Sequence, residues 1–266
     1  MVKVCLIQNC PDFDKSKNLI NLYKLIPNEN IDILMFPECF NSPYGIEYFE
    51  NYAEEIKEGN ETFDFLKNLS IMYPNTYIIA GSIPEFFDNK IYNTCTVWKK
   101  GNMITKYRKN NLFDVKIPNA QFTESEILSP GDKLAMFDTE WGKIGLGICF
   151  DIRFNQISNI YSNNNCNLIC YPANFTKITG NMHWDILNKA RAIDSHTFIL
   201  SCSTATSNND EIKFKSYGNS IIVSPWGDVI SKLDDKEGFL FYDIDINLVN
   251  DMREKIPINQ YKSFNL

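Results

Sequence analysis

The chain has 266 residues, 44% of them hydrophobic, and a formal net charge of -7 at pH 7. This size and composition can bury one large core, so we expect a single domain over residues 1–266 rather than a disordered protein. The net negative charge argues against nucleic acid or an anionic membrane as a partner. No apolar run approaches the roughly 18 residues of a membrane helix. Residues 1–10 look like a strand rather than a signal peptide, which favours a cytoplasmic location.

Apolar runs of strand length alternate with helical periodicity along the chain. Strands are predicted at Val2–Gln8, Ile31–Phe36, Thr76–Ser82, Tyr92–Trp98, Met103–Tyr107, Lys143–Cys149, Asn167–Tyr171, Phe198–Cys202, Ser220–Ser224 and Phe239–Ile244. Helices are predicted after the capping residue Asp14 and at Glu61–Met72, Phe154–Tyr161 and Trp184–Ile193, and a tail at 256–266. The alternation predicts an α/β fold. Consecutive strands within 76–107 and 220–244 predict antiparallel hairpins, so the sheets should be mixed.

Three of the predicted strands end at a chemically reactive side chain. Pro37 ends the strand Ile31–Phe36, and Glu38 follows at once. Lys109 lies at the end of a later strand, and a Gly-spaced apolar run stops at Cys149. Taken singly, these residues have ordinary explanations as a loop carboxylate, a surface lysine and an inert core thiol. Their combination indicates an active site built at the edge of a sheet.

An acid, a base and a thiol together are what amide hydrolysis needs. A free thiol has a pKa near 8.5 and attacks only as the thiolate, which a neighbouring lysine would favour by lowering that pKa. A glutamate can take the thiol proton and return it to the leaving ammonia. The lysine and a backbone N–H can stabilise the oxyanion. This chemistry requires no metal or organic cofactor.

The cysteines and histidines indicate neither disulfides nor a metal site. The eight cysteines include no Cys-x-x-Cys pair, and several lie inside apolar runs, so reduced thiols are expected. Only His183 and His196 are present, and neither has zinc-like spacing to the cysteines. A papain-like pair of cysteine and histidine would need one of these two. His183 is better explained as a structural hydrogen-bonding residue.

At its reactive residues the chain resembles the nitrilase, or carbon–nitrogen hydrolase, superfamily. The matching segments are FPECFNSPYG (36–45), GSIPE (81–85), YNTCTVW (92–98), KYRKNNLFD (106–114), LSPGD (128–132), GLGICFDIRF (145–154), YPANF and TGNMHW (within 171–184), KARAID (189–194) and SPWGDVI (224–230). ECFNSPYG, CFDIRF and TGNMHW make the omega-amidase branch the most similar one. The resemblance implies a four-layer α-β-β-α sandwich with two mixed sheets. Two such sandwiches commonly associate in the family, so a homodimer is expected.

The resemblance also assigns roles to individual residues. Glu38 matches the general base, Lys109 the lysine that stabilises the oxyanion, and Cys149 the nucleophile. Glu124 matches a second glutamate that positions the lysine and the substrate. The backbone N–H of Phe150 would complete the oxyanion hole.

The same pattern predicts which residues bind the substrate. Arg153, Phe175 and Thr179 would face it. A guanidinium four residues after the nucleophile could hold a carboxylate with two hydrogen bonds, although Arg153 could instead form a salt bridge with Asp151 or another acidic neighbour. The expected activity is hydrolysis of the terminal amide of a small carboxylated substrate, of the 2-oxoglutaramate or 2-oxosuccinamate type, to the acid and ammonia.

Two departures from the branch keep other functions open. Asn111 stands where the branch usually has histidine, and residues 173–176 read Ala-Asn-Phe-Thr where it usually has Gly-Ala-Phe-Asn. Both weaken the assignment to omega-amidase substrates. The alternatives are an amidase for deaminated glutathione, a hydrolase of N-carbamoyl amino acids, and a catalytically silent binding protein. The presence of all three triad residues argues against the last.

Overall fold

The computed structural model describes residues 1–117 and 120–258. Its strands are β1 (Val2–Gln8), β2 (Ile33–Met35), β3 (Tyr77–Ile79), β4 (Ile83–Phe87), β5 (Lys90–Lys99), β6 (Asn102–Arg108), β7 (Asp114–Ile117), β8 (Ala120–Thr123), β9 (Ala135–Thr139), β10 (Gly142–Leu146), β11 (Cys166–Ala173), β12 (Phe198–Ser203), β13 (Ile221–Val223), β14 (Val229–Lys232) and β15 (Gly238–Ile244). The helices are α1 (Lys15–Leu25), α2 (Ile46–Tyr52), α3 (Glu61–Met72), α4 (Asn155–Asn163), α5 (Lys177–Ser195) and α6 (Asn247–Lys255), with short 3-10 helices at Glu124–Glu126 and Cys149–Arg153. Most of the tail predicted at 256–266 lies outside the described residues.

Two mixed sheets form the centre of the molecule. The first has seven strands, ordered β15-β1-β2-β3-β5-β4 with β6 also paired to β5, and the second has six, ordered β14-β13-β12-β11-β10-β9. In each sheet three neighbouring strands are parallel: β1, β2 and β3 in the first, β10, β11 and β12 in the second. Antiparallel strands complete both sheets, as the sequence predicted.

The sheets lie face to face and helices cover their outer sides. Strand β2 shows the alternation directly, because Ile33 and Met35 join the core between the sheets while Leu34 faces the helix side. Leu22 of α1 and Leu66 of α3 pack on that outer side. Helices α4 and α5 cover the second sheet in the same way. The predicted four-layer α-β-β-α sandwich is therefore confirmed.

The predicted strands are present, with differences at their ends and in one pairing. Strand β10 ends at Leu146, so Cys149 belongs to the turn after the strand rather than to the strand itself. The hairpin predicted within 220–244 is formed by β13 and β14 around the turn at 225–228, while β15 leaves it and pairs with β1. Helices α2 and α6 and strands β4, β7, β8, β9 and β14 were not predicted.

The strand directions bring the reactive residues to one edge. Strands β2 and β3 are parallel, β5 is antiparallel to β3, and β6 is antiparallel to β5, so β6 ends at the same edge as β2. Glu38 and Lys109 follow these two ends, and Cys149 follows β10 of the facing sheet. Within 1–117 and 120–258, no helix is both long and apolar enough to cross a bilayer.

Candidate active site

Glu38 lies in a tight, fully buried turn after β2. Gly81 makes this turn possible, since its φ is 45° and a Cβ there would lie 2.0 Å from the carbonyl oxygen of Pro37. The Glu38 Oε1 atom accepts a hydrogen bond of 2.8 Å from Asn93 Nδ2. Its Oε2 atom has no hydrogen-bond partner within the described part of the chain. One carboxylate oxygen is therefore held in place and the other is free to exchange a proton.

Lys109 joins two buried carboxylates. Its Nζ atom donates to Glu38 Oε1 and to Glu124 Oε1, at 2.9 Å in both cases. Glu124 is itself fixed, because its Oε1 accepts from the Tyr44 hydroxyl at 2.6 Å and its Oε2 from the Phe113 N–H at 2.7 Å. The three charged groups that the sequence singled out separately thus form one hydrogen-bonded cluster.

The charges of this cluster set its protonation. Burial alone would lower the pKa of Lys109, but the charges of Glu124 and Glu38 outweigh it and hold that pKa well above its usual range. The pKa of Glu38 is raised, first by burial and then by the charge of Glu124, against the opposing charge of Lys109. Lys109 is therefore an ammonium at neutral pH, and Glu38 is a stronger base than an ordinary glutamate.

Cys149 begins the 3-10 helix that follows β10. Its φ is 46°, in the left-handed region that costs a residue with a side chain of order 1–3 kcal/mol. Its Sγ accepts a hydrogen bond of 3.5 Å from the Asn174 N–H at the end of β11. Gly147 allows the chain before Cys149 to pass close to the ring of Tyr171, since a Cβ at this position would lie 2.5 Å from that ring. The thiol is thus presented by a strained turn braced from the neighbouring strand.

The charge of Lys109 acts on the thiol in the expected direction, since it lowers the pKa of Cys149. Burial and the charge of Glu38 outweigh that effect, so the pKa lies well above its usual value. The resting group is a neutral thiol that lies near enough to Glu38 for the two pKa values to influence each other.

Asp151 ties the turn that carries Cys149 to the first sheet. Its Oδ2 accepts from the Tyr107 hydroxyl at 2.7 Å and from the Ile148 N–H at 2.9 Å. Its Oδ1 accepts from the Asn111 N–H at 3.0 Å and from Asn111 Nδ2 at 2.8 Å. Asn111, the first departure from the branch pattern, thus braces Asp151. The alternative of a salt bridge between Asp151 and Arg153 is wrong, because four other donors surround this carboxylate.

The four predicted substrate-binding residues line one small pocket with the thiol. We call it the Cys149 pocket; it is lined by Phe113, Cys149, Phe150, Arg153, Asn174, Phe175 and Thr179. Arg153 donates from both Nη atoms to His183 Nδ1 at 3.3 Å. Its guanidinium lies 5.3 Å from the ring centre of Phe175 and 5.6 Å from that of Phe150. His183 is therefore a structural hydrogen-bonding residue, as expected, and Arg153 lines the pocket with His183, rather than a carboxylate, as its hydrogen-bond partner among the described residues.

Comparison with known proteins agrees with this geometry. The carbon-nitrogen hydrolase family model matches residues 3–254. The chain belongs to the carbon-nitrogen hydrolase family. It is 40% identical to omega-amidase NIT2-B of Xenopus laevis, over 99% of this chain and 96% of the relative, and 38% identical to human omega-amidase NIT2 with the same coverage. The crystal structure of Saccharomyces cerevisiae Nit3 superimposes with a TM-score of 0.88 at 31% identity, covering 99% of this chain and 97% of that one.

Sequence reasoning missed several residues of the hydrolase site. Asn93 and Tyr44, which hold the two glutamates, lie inside the matching segments YNTCTVW and ECFNSPYG but were not singled out. Tyr107 and Asp151 connect the two sheets beneath Cys149. The family resemblance of the surrounding segments pointed to this part of the chain. The hydrogen bonds themselves join residues that are far apart in sequence, so no local pattern could have predicted them.

Proposed function

We propose that this carbon-nitrogen hydrolase is an amidase that converts the terminal amide of a small carboxylated substrate, of the 2-oxoglutaramate or 2-oxosuccinamate type, to the acid and ammonia. The observation that carries the proposal is the buried cluster in which Lys109 donates to Glu38 and Glu124, beside a pocket shared by Cys149 and Arg153. Glu38, Lys109 and Cys149 would be the catalytic triad, with Glu124 positioning the lysine. The similarity to omega-amidases supports this substrate class.

In the first half of the reaction, Cys149 Sγ attacks the amide carbon while Glu38 takes the thiol proton. The raised pKa of both groups suits this transfer, since it keeps the thiol neutral at rest and the carboxylate basic. Lys109 and the Phe150 N–H stabilise the oxyanion. Glu38 then delivers its proton to the nitrogen, the C–N bond breaks, and ammonia leaves a thioester on Cys149.

In the second half, water attacks the thioester carbon and Glu38 takes a proton from it. The C–S bond breaks, the thiol recovers its proton from Glu38, and the carboxylic acid is released. Every proton is carried by Glu38. Lys109 stays charged throughout because two carboxylates surround it.

Arg153 would bind the substrate carboxylate. It faces the Cys149 pocket, and its pKa is lowered by burial, so a bound anion would compensate a partly desolvated charge. Outside this pocket, a wider groove is lined by three lysines, Lys177, Lys213 and Lys215, and by two acids, Glu47 and the lysine-paired Glu124. In a chain of net charge -7, such a basic approach favours anionic substrates.

The test is ammonia release from a panel comprising 2-oxoglutaramate, 2-oxosuccinamate, an uncharged amide of similar size and an N-carbamoyl amino acid. We expect the carboxylated amides to have the highest kcat/KM. Arg153→Ala should lower kcat/KM for the carboxylated amides far more than for the uncharged amide, and Arg153→Lys should fall between parent and Ala. Equal losses on both substrates would show that Arg153 is structural and would leave the substrate class undefined.

We also propose that the enzyme is a homodimer formed through α5. Ile178, Met182 and Ile186 succeed one another at a spacing of four residues and are all exposed, so they form an apolar stripe on the outer face of α5. Ile160 of α4 extends the exposed apolar surface. A second copy fits such a stripe, since the same face on two chains is self-complementary about a two-fold axis.

A cytoplasmic location is proposed on the basis of the thiols. All eight cysteines are free, and seven of them are buried. A thiol nucleophile among so many reduced cysteines suits a reducing compartment. Fractionation of the source cells should recover the protein with cytosolic markers, and enrichment in a secreted fraction would contradict this location.

A further inference from the structure

Asn174 lines the Cys149 pocket and carries a buried polar atom without a partner. The residue follows β11, is 4% exposed and lines the pocket, and its N–H is the donor to Cys149 Sγ. Its side-chain Oδ1 has no hydrogen-bond partner anywhere in 1–117 or 120–258. A buried hydrogen-bond acceptor without a partner costs about 1–3 kcal/mol. A bound molecule that pairs with the amide would recover that free energy.

The other residues that line the pocket are apolar, already hydrogen-bonded, or assigned to another part of the substrate. Phe113, Phe150 and Phe175 form aromatic walls. The Thr179 hydroxyl lies 2.9 Å from Oγ1 of Thr176, the N-cap residue of α5, and is paired with it. In the proposed function, Cys149 attacks the amide carbon and Arg153 binds the carboxylate. Among the residues that line the pocket, this leaves the side chain of Asn174 to contact the part of the substrate that links these two groups.

We propose that the Asn174 carboxamide recognises an oxygen substituent, a carbonyl or a hydroxyl, on the carbon chain that links the scissile amide to the carboxylate. The carboxamide provides both a donor and an acceptor, so it pairs with either group. This inference rests on the proposed function and narrows it. The preferred substrates carry an oxygen between their two ends, and chains of the same length without it are poor substrates.

A buried water is the competing partner for this amide. Asn174 also borders a small chamber on the far side of the pocket, and the Ser42 Oγ atom in the same chamber likewise lacks a partner within the described residues. The chamber is about large enough for one water. If such a water pairs with both groups, Asn174 contributes to structure and not to substrate choice.

The experiment compares kcat/KM for 2-oxosuccinamate and 2-hydroxysuccinamate with that for succinamate, which lacks the oxygen. The parent is measured beside Asn174→Leu, which keeps the branched shape of the side chain without its polar atoms, and Asn174→Ala, which removes the branch. Loss of the pairing should lower the ratio of substituted to unsubstituted substrate by about tenfold in both variants. A larger fall in this ratio for 2-oxosuccinamate indicates that the amide acts mainly as a donor to a carbonyl. A larger fall for 2-hydroxysuccinamate indicates that it acts mainly as an acceptor from a hydroxyl.

An unchanged ratio, or a fall confined to one variant, overturns the inference and assigns the amide to the buried water or to packing. Thermal unfolding provides an independent measurement, since Asn174→Leu should melt at or above the parent temperature when the amide has no partner in the protein. A parent that releases ammonia from none of the three acids would refute the proposed function itself. A parent that hydrolyses all three with a ratio insensitive to residue 174 would refute only the role of Asn174.

Discussion

The resting protonation of Cys149 follows from the charge count around it. Glu38 and Glu124 share the single positive charge of Lys109 in a site with no exposure to solvent. A thiolate would add a further negative charge where water cannot screen it. The resting thiol is therefore neutral, and in the proposed mechanism its ionisation is coupled to attack on the substrate carbonyl.

Activity should fall on the acidic side at a pH above the usual glutamate pKa of about 4.3. Glu38 must be deprotonated to accept the thiol proton, and burial raises its pKa, so activity is lost as pH falls through that raised value. Asn93→Ala removes a donor to the ionised carboxylate and should move the acidic limb of kcat/KM to still higher pH. A limb that stays in place, or moves to lower pH, would exclude Glu38 as the titrating base.

Cys149→Ala should abolish ammonia release while the protein stays folded, because a small apolar side chain replaces a small thiol. Cys39→Ala and Cys95→Ala are matched controls, since both thiols are buried and neither lines the Cys149 pocket; they should retain substantial activity. Steady-state assays beside circular dichroism spectra make the comparison. Near-normal turnover in Cys149→Ala would rule out a thioester mechanism.

Lys109→Arg should lower kcat by about 100- to 1000-fold, the typical effect of losing one oxyanion donor. The positive charge is retained, but a planar guanidinium cannot present the compact ammonium that donates to Glu38 and Glu124 at 2.9 Å. Lys106→Arg is the control, because that lysine of β6 is partly exposed and pairs with Glu85 outside the cluster. Parent-like turnover in Lys109→Arg would place this lysine outside the catalytic site.

At the scale of elements, the turn after β10 is held by hydrogen bonds rather than by packing alone. Cys149 has a left-handed backbone, and such strain persists only where the surroundings fix it. Asp151 provides this restraint by accepting from Tyr107 of β6, from the Ile148 N–H and from Asn111. The turn of one sheet is thereby fastened to a strand of the other.

Two tyrosine-to-phenylalanine substitutions test this restraint. Tyr107→Phe removes a donor to the buried Asp151 carboxylate and should lower the free energy of unfolding by about 1–3 kcal/mol. Tyr171 is equally buried, but its hydroxyl has no partner within the described residues. Tyr171→Phe should therefore leave stability unchanged or raise it slightly. Urea denaturation of both variants measures these free energies of unfolding. A larger loss of stability in Tyr171→Phe than in Tyr107→Phe would contradict the assigned hydrogen bonds.

At the scale of the whole molecule, the sandwich leaves two helical faces to solvent, one on each side. Helix α3 covers the first sheet and α5 the second. Ile71 of α3 is 55% exposed and Ile186 of α5 is 67% exposed, so both faces offer apolar surface to a partner. The two faces lie on opposite sides of the sheets, which allows each to be tested without disturbing the other.

Sedimentation at about 10 μM should give twice the chain mass of 30.8 kDa if α5 forms the dimer contact. Ile186→Glu places a charge in that contact and should shift the population to monomer, whereas Ile71→Glu should not. Exposed substitutions of this kind barely affect folding. A monomeric parent would refute the homodimer, and dissociation by Ile71→Glu alone would move the interface to α3.

The sequence alone determined the fold class and the positions of the reactive groups. Apolar runs with two-residue or helical periodicity are local patterns, so the α/β alternation could be predicted, as could the capping of α1 by Asp14. Glu38, Lys109 and Cys149 could be predicted as a set because each closes a strand, and the segments around them resemble one family. Element ends were predicted less well, because the last strand residues depend on hydrogen bonds to neighbouring strands.

Only the tertiary structure decided how those groups pair and what they do to one another. Lys109 and Glu38 are separated by 71 residues, and no local pattern states that Asn93 holds the same carboxylate. The sequence likewise could not predict that β15 pairs with β1, or that the Tyr171 hydroxyl has no partner among the described residues. The sign of the Cys149 pKa shift depends on burial and on the charges of Glu38 and Lys109 at once. Hydrogen bonding and desolvation are properties of the assembled core, so they become readable only after the chain has brought distant residues together.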